Sequence, residues 1–194
     1  MKTAVAPFES SVEHKYSKTP IPEINKMGLA ALKECVVLEL QGRELWDDPE
    51  VRWSLDFATE LHEGEMRKDG PYLGHIYRVT LWTLRNFDLY SAEAAKAALL
   101  HDSIENHPSK IITNLNPPTI QLPETTRINA HRVLAESGKL REQNTIGAIG
   151  RLTCPSYKNH KPIAKRKGYA HHVVDIILPD PLATVVKEAD QIEN

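Results

Sequence analysis

Aromatic side chains are scarce in this sequence, at 6% of 194 residues, and cysteine occurs only at Cys35 and Cys154. Two thiols so far apart have no metal-type spacing, which excludes a cysteine-built zinc site and a disulfide scaffold; reduced, unpaired thiols in a cytoplasmic protein are expected. No continuous run of roughly 18 apolar residues is present, so no membrane-spanning helix is expected. The opening stretch, Met1 to Pro7, lacks the apolar core of a secretory signal. A large charge of either sign is missing too. Lys and Arg number 24 against 26 Asp and Glu, a net charge of -2, so neither nucleic acid nor a membrane surface is an expected partner. Alternation of period two is not seen, which argues against strands.

What remains is helical periodicity almost throughout, and an all-α fold follows. At 21.9 kDa the chain has room for one sizeable core. Residues 1–21 read as a polar N-terminal arm, and residues 22–194 as a single domain. Apolar residues at Ile24, Met27, Leu29, Leu32, Cys35, Val36 and Leu40 predict a helix from Pro22 to about Leu45. Asp48-Pro49 caps the next, to about Met66, with Trp53, Phe57, Ala58 and Leu61 inward. The turn at Lys68-Asp69-Gly70-Pro71 breaks it, and a further helix covers about 74–87. Ser91 caps an Ala-rich helix. Helices resume over about 124–137 (Ile128, His131, Val133, Leu134; stop at Gly138) and 140–152 (Ile146, Ile149, Leu152). Tyr169, Val173, Val174 and Ile177 mark another, and Pro181 opens the last, with Val185, Val186, Ala189 and Ile192 inward.

The Ala-rich helix ends on Leu99-Leu100-His101-Asp102-Ser103-Ile104-Glu105-Asn106. Burying a neighbouring imidazole and carboxylate is costly unless something binds them, and a divalent cation binds both. Glu105 and Asn106 follow one helical turn beyond His101 and Asp102, on the same face. A metal site with an acid or base beside it is the expected chemistry.

Three other places join this one. Arg67-Lys68 precedes the Gly-Pro turn and His75 opens the next helix, an arrangement suited to a phosphorylated ligand lying over a metal. Asp190 adjoins the apolar stripe of the last helix and so requires a partner; Asn194 lies one turn on. Lys158 to Lys167 is a basic block that would attract a polyphosphate. The proline-rich stretch 107–123 has no periodicity and suits a loop over the site, a lid or substrate rim. His14, His62, His107, His131, His160, His171 and His172 read as structural or surface residues, with His62 the one placed to support the pocket.

Together His75, His101-Asp102 and Asp190 resemble the ligand set of the HD metal-dependent phosphohydrolase superfamily. The likeness extends to the hydrolase domain of RelA/SpoT-type alarmone enzymes. His62-x-Gly64-x-x-Arg67-Lys68-x-Gly70-Pro71-Tyr72-x-x-His75 is similar to the family's run ending in the metal His. Ala98-Leu99-Leu100-His101-Asp102-x-x-Glu105 resembles its Ala-Leu-Leu-His-Asp-x-x-Glu-Asp. Val186-Lys187-x-Ala189-Asp190-x-x-x-Asn194 resembles its Val-Lys-x-Ala-Asp-Arg-x-x-Asn. The length suits the single-domain members, the small alarmone hydrolases and the metazoan SpoT homologue.

The resemblance implies an HD-domain helical bundle around a single metal site and removal of the 3′-pyrophosphate from (p)ppGpp with Mn²⁺, or Fe²⁺ or another divalent ion in its place. It implies His75, His101, Asp102 and Asp190 as metal ligands and Glu105, with Asn106 beside it, as the catalytic pair handling the attacking water. Arg67, Lys68 and Asn194 would bind the nucleotide, the partner being a small molecule; a homo-oligomer is compatible with all of this. The sequence departs from the pattern at Asn106, where the family has Asp, and at Ile76, Gln191 and Glu193. An amide positions water but takes no proton from it. These departures support two alternatives: another HD nucleotide phosphohydrolase (an NADPH 2′-phosphatase or a dNTP or nucleotide phosphatase), or a degenerate HD domain that binds a nucleotide or partner protein without turnover.

Overall fold

The computed structural model describes residues 21–87, 89–115, 127–155 and 162–194, and they are mostly helical, as the periodicity predicts. The helices are α1 (Ile21–Ile24), α2 (Leu29–Gly42), α3 (Pro49–Leu61), α4 (Tyr72–Asn86), α5 (Ala92–Leu100), α6 (Ser103–Asn106), α7 (Pro108–Leu115), α8 (Arg127–Glu136), α9 (Gln143–Leu152), α10 (Pro162–His171) and α11 (Pro181–Glu193). A π-helical turn, His172–Ile177, continues α10. Two two-residue strands, β1 (Met66–Arg67) and β2 (Gly70–Pro71), pair antiparallel between α3 and α4. No helix among the described residues is long and apolar enough to cross a membrane.

The organising element is α5. Every residue from Ala94 to Leu100 is buried, Lys96 included, because α3, α4, α9 and α11 all pack against it. A helix enclosed on all sides needs small side chains at the close approaches, and alanine supplies them while remaining the best helix former. Asp48 and Ser91 cap their helices as read from the sequence, and Asp180, not singled out there, caps the last. Asp48 accepts from the Glu50 amide at 2.7 Å with Pro49 in the first turn of α3. Ser91 accepts from the Ala94 amide at 3.1 Å, and Asp180 accepts from the Leu182 and Ala183 amides at the start of α11.

Several boundaries and faces differ from the sequence expectation. The single helix expected from Pro22 is two, because the chain turns at Lys26-Met27 and passes through an extended Gly28 before α2 begins. Pro108–Leu115, expected within a loop, is a helix packed on α8; residues 116–123 of that stretch lie outside the described residues. In the last turns before α11, π spacing puts His172 and Ile177 inward, five residues apart, and leaves Val174 57% exposed. Ile128 and Ile192, expected inward, are outside, and Ala130, Ala183 and Asp190 take the inward places. Residues 1–20 of the N-terminal arm and Lys158–Lys161 of the basic block lie outside the described residues, while Ile21, placed in the arm, opens α1; Arg166 and Lys167 are exposed on α10. Neither cysteine is in a disulfide.

Candidate metal centre

Three helices carry the centre. His75 lies in the first turn of α4, Asp190 in the last turn of α11, and His101-Asp102 follows the end of α5. Because α4 and α11 pack against each other and both against α5, residues 115 positions apart in sequence meet. The C-terminal ends of α5 and α11 carry the negative pole of their peptide dipoles, which favours a cation there; the start of α4 opposes this.

His75 Nε2 lies 3.3 Å from Asp190 Oδ1 and 3.6 Å from Asp102 Oδ2. His101 Nε2 lies 3.3 Å from Asp102 Oδ2 and 3.9 Å from Asp190 Oδ1. One ligand atom each from His75, His101 and Asp190 falls within 4.8 Å of the others, and all three residues are buried. Asp102 is not within that group of three; its carboxylate approaches the two imidazoles, and its side chain is 21% exposed. His101 Nδ1 donates to the Ala98 carbonyl at 2.8 Å, which sets the ring orientation and turns Nε2 towards the carboxylates. That Nε2 is buried with no hydrogen-bond partner, and so is His75 Nδ1. Buried nitrogens are seldom left unpaired, and an orphaned ring nitrogen aimed at two carboxylates is what a metal ligand looks like without its ion. Burial drives the His101 imidazole towards the neutral form, but the adjoining Asp102 and Asp190 carboxylates outweigh it and hold its pKa up at about 9. Burial likewise works to raise Asp190, and His75, His101 and Lys187 overcome it, leaving the carboxyl below its usual range. The donor set of two imidazoles and two carboxylates fits a divalent ion of the Mn²⁺, Fe²⁺ or Zn²⁺ type.

A shell of hydrogen bonds orients these side chains. The Tyr72 hydroxyl donates to Asp102 Oδ2 at 2.5 Å and accepts from Asn106 Nδ2 at 2.8 Å. Lys187 Nζ donates to Asp190 Oδ2 at 2.6 Å. Asn194 donates to Asp190 Oδ1 at 2.6 Å and accepts from Arg67 at 2.6 Å. The short β1–β2 hairpin sets Arg67 there, with Gly70 at φ +135°; Lys68 is exposed in its turn. Arg67 also lines a polar cleft of about 260 Å³ with Asn25, Gly28, Gly74 and Arg78.

Glu105 stands apart from the ligand cluster. Its Oε2 accepts from the Cys154 amide at 3.0 Å, and Oε1 lies 3.6 Å from the Arg127 guanidinium. Burial pushes its pKa up against those two partners, with the Asp102 carboxylate adding to the rise. Asn106 reaches the cluster at one remove, through Tyr72, and that hydroxyl explains the amide. With its only proton on Asp102, the Tyr72 oxygen must accept, so residue 106 must donate; an ionised aspartate could not.

Sequence reasoning did not single out Tyr72 or Lys187, although both lie inside the quoted motifs. It also passed over a second cluster, in which His62 joins Glu65 and His107. His62 stacks on the Tyr72 ring with centroids 4.8 Å apart and planes 4° from parallel. Burial lowers its pKa to about 4, against the raising contact with Glu65. No protein-family model, curated protein or solved structure matches this chain.

Proposed function

We propose that this protein is a divalent-metal-dependent hydrolase of phosphorylated nucleotides, with an HD-type helical bundle around one Mn²⁺-class ion and with (p)ppGpp, cleaved at its 3′-pyrophosphate, as substrate. The observation that carries the reading is the convergence of His75 Nε2, His101 Nε2, Asp102 Oδ2 and Asp190 Oδ1 from three separate helices.

These four side chains would hold the ion, which when bound polarises a phosphoryl oxygen and lowers the pKa of water. Glu105, whose carboxyl burial raises, takes the proton from the attacking water; such a base contributes roughly 10²–10⁴-fold. Water adds to the phosphorus on the ribose 3′-oxygen, that oxygen leaves with a proton from solvent, and pyrophosphate is released. Arg67 pairs with phosphate oxygens through its planar fork, and Lys68 adds a mobile positive charge. Tyr72 and Lys187 position the ligand carboxylates and touch no reacting atom; Asn194, bonded to both Asp190 and Arg67, joins the ion's ligands to the nucleotide-binding side chains.

A second reading keeps the site and changes the substrate to another nucleotide, such as NADPH or a dNTP. It is favoured by Asn106, which leaves Glu105 as the sole carboxylate following the His101-Asp102 pair within that motif. Incubation of the purified protein with Mn²⁺ and, separately, ppGpp, NADPH and dNTPs decides between them. Pyrophosphate release from ppGpp that disappears in His101→Ala supports the first reading; turnover of another nucleotide alone replaces it with the second. No turnover of any, with ppGpp bound tightly, leaves a nucleotide-binding module instead.

A further inference from the structure

The triangle of His62, Glu65 and His107 is a different matter from the centre just described. His62 Nδ1 lies 2.7 Å from Glu65 Oε2, His107 Nε2 lies 3.0 Å from the same oxygen, and the two nitrogens are 3.1 Å apart. Hydrogen bonds cannot satisfy all three edges of this triangle. An ionised carboxylate only accepts, so both imidazoles must donate to it, and the third edge is then nitrogen against nitrogen with a proton on each. A cation at the middle accepts all three lone pairs together.

The dimensions suit one. Tetrahedral zinc, with bonds of about 2.0–2.1 Å to nitrogen and oxygen, separates its ligand atoms by roughly 3.3 Å. Two of the edges need to open by about two or three tenths of an ångström to reach that, and the His62–Glu65 edge by about 0.6 Å. Two nitrogens and one oxygen form the ligand set of open zinc sites, with the fourth position left to water or another ligand. That position has an outlet, because the Glu65 side chain is 32% exposed and that of His107 14%, while His62 is fully buried. The three residues come from separate places: His62 at the C-terminus of α3, Glu65 just before β1, and His107 at the C-terminus of α6.

We infer that this triangle is a second, zinc-class cation site, held by His62 Nδ1, Glu65 Oε2 and His107 Nε2 with one coordination position open. It adjoins the first centre through Tyr72, whose ring stacks on His62 and whose hydroxyl holds Asp102. The inference does not depend on what the protein hydrolyses.

The test is metal stoichiometry on the full chain, stripped with chelator and titrated with Zn²⁺ by calorimetry, with bound metal measured after dialysis. The wild-type protein takes up two equivalents. Glu65→Gln and His107→Gln each lose one and keep the other, and His101→Ala loses the complementary one. Glu65 sits at the edge of the fold, so its variant remains informative if His107→Gln folds poorly; circular dichroism checks both. A single equivalent in the wild type that persists in Glu65→Gln and disappears in His101→Ala overturns the second site. Two equivalents retained by both triangle variants overturn it as well. A wild-type equivalent that depends on Glu65 but not on His101 supports the triangle and sinks the first centre instead.

Discussion

Replacing Tyr72 by Phe removes one oxygen atom and nothing else, and it tests whether the shell around the candidate metal centre orients its ligands. The ring stays, so the stack on His62 and the packing at the start of α4 are preserved. What goes is the bond to Asp102 Oδ2 at 2.5 Å and the acceptor that holds Asn106 at 2.8 Å. A hydrogen bond to a charged group is worth about 1.5–3 kcal/mol. Loss of an outer partner of a metal ligand costs about 10–100-fold in affinity, equivalent to roughly 1.4–2.7 kcal/mol. The two ranges overlap, but the hydroxyl also serves the protein without its ion. Only the part of the bond that holds Asp102 in the binding rotamer is lost from affinity, which favours the lower end, near tenfold. Mn²⁺ titration of both proteins at one pH, followed by calorimetry, measures this directly. A dissociation constant weakened about tenfold with an unaltered far-ultraviolet circular dichroism spectrum is expected. An unchanged or tighter constant would refute the claim that Tyr72 sets the orientation of Asp102.

Asn106→Asp, which restores the acidic residue of the family pattern, is expected to lower metal affinity and any turnover, because a carboxylate would face the Tyr72 oxygen without a proton to give; Mn²⁺ titration beside a nucleotide assay checks this. Lys96 is fully buried against Glu50 and Glu142, at 3.2 and 2.5 Å. Glu50 keeps Arg141 when Lys96 is lost, and the Glu142 side chain is 37% exposed, so Lys96→Met should lower urea stability by about 1.5–3 kcal/mol, the worth of a hydrogen bond to a charged group, and an unchanged stability would contradict it. Glu50 also accepts from Arg141, and these partners, working against burial, bring its pKa from 4.5 down to about 2. Since the folded value lies below the unfolded one, its contribution is complete above about pH 4.5 and is lost as the pH falls towards 2. Urea midpoints across that window should drop more steeply in wild type than in Glu50→Gln.

The periodic signal made most helices and two of the N-caps, Asp48 and Ser91, legible, because each depends on residues close in sequence. The four candidate ligands were legible for a related reason: buried imidazoles and carboxylates at helix ends stand out against apolar stripes. The partners of those residues were not. Tyr72 reads as one more aromatic in a turn, and its bond to Asp102 exists only because α4 packs on α5. Lys96 reads as the polar side of an amphipathic helix until the starts of α3 and α9 bring carboxylates to it. Glu105 and Asn106 follow His101 and Asp102 at helical spacing, but α5 ends at Leu100 and α6 restarts at Ser103; Glu105 contacts Arg127 and the Cys154 amide, and Asn106 meets Tyr72. The π-helical turn was hidden because its period of five imitates a shifted α-helical stripe. Glu65 and His107 carry no signal of their own, since their meeting with His62 depends on the packing of two helix ends.

The central proposal is one cation held by His75, His101, Asp102 and Asp190. Crystals of the protein grown with Mn²⁺, measured for anomalous scattering, test it most directly. A peak about 2 Å from His75 Nε2, His101 Nε2, Asp102 Oδ2 and Asp190 Oδ1 is the predicted result. Density without a peak among these atoms, in crystals where Mn²⁺ is in large excess, would contradict it.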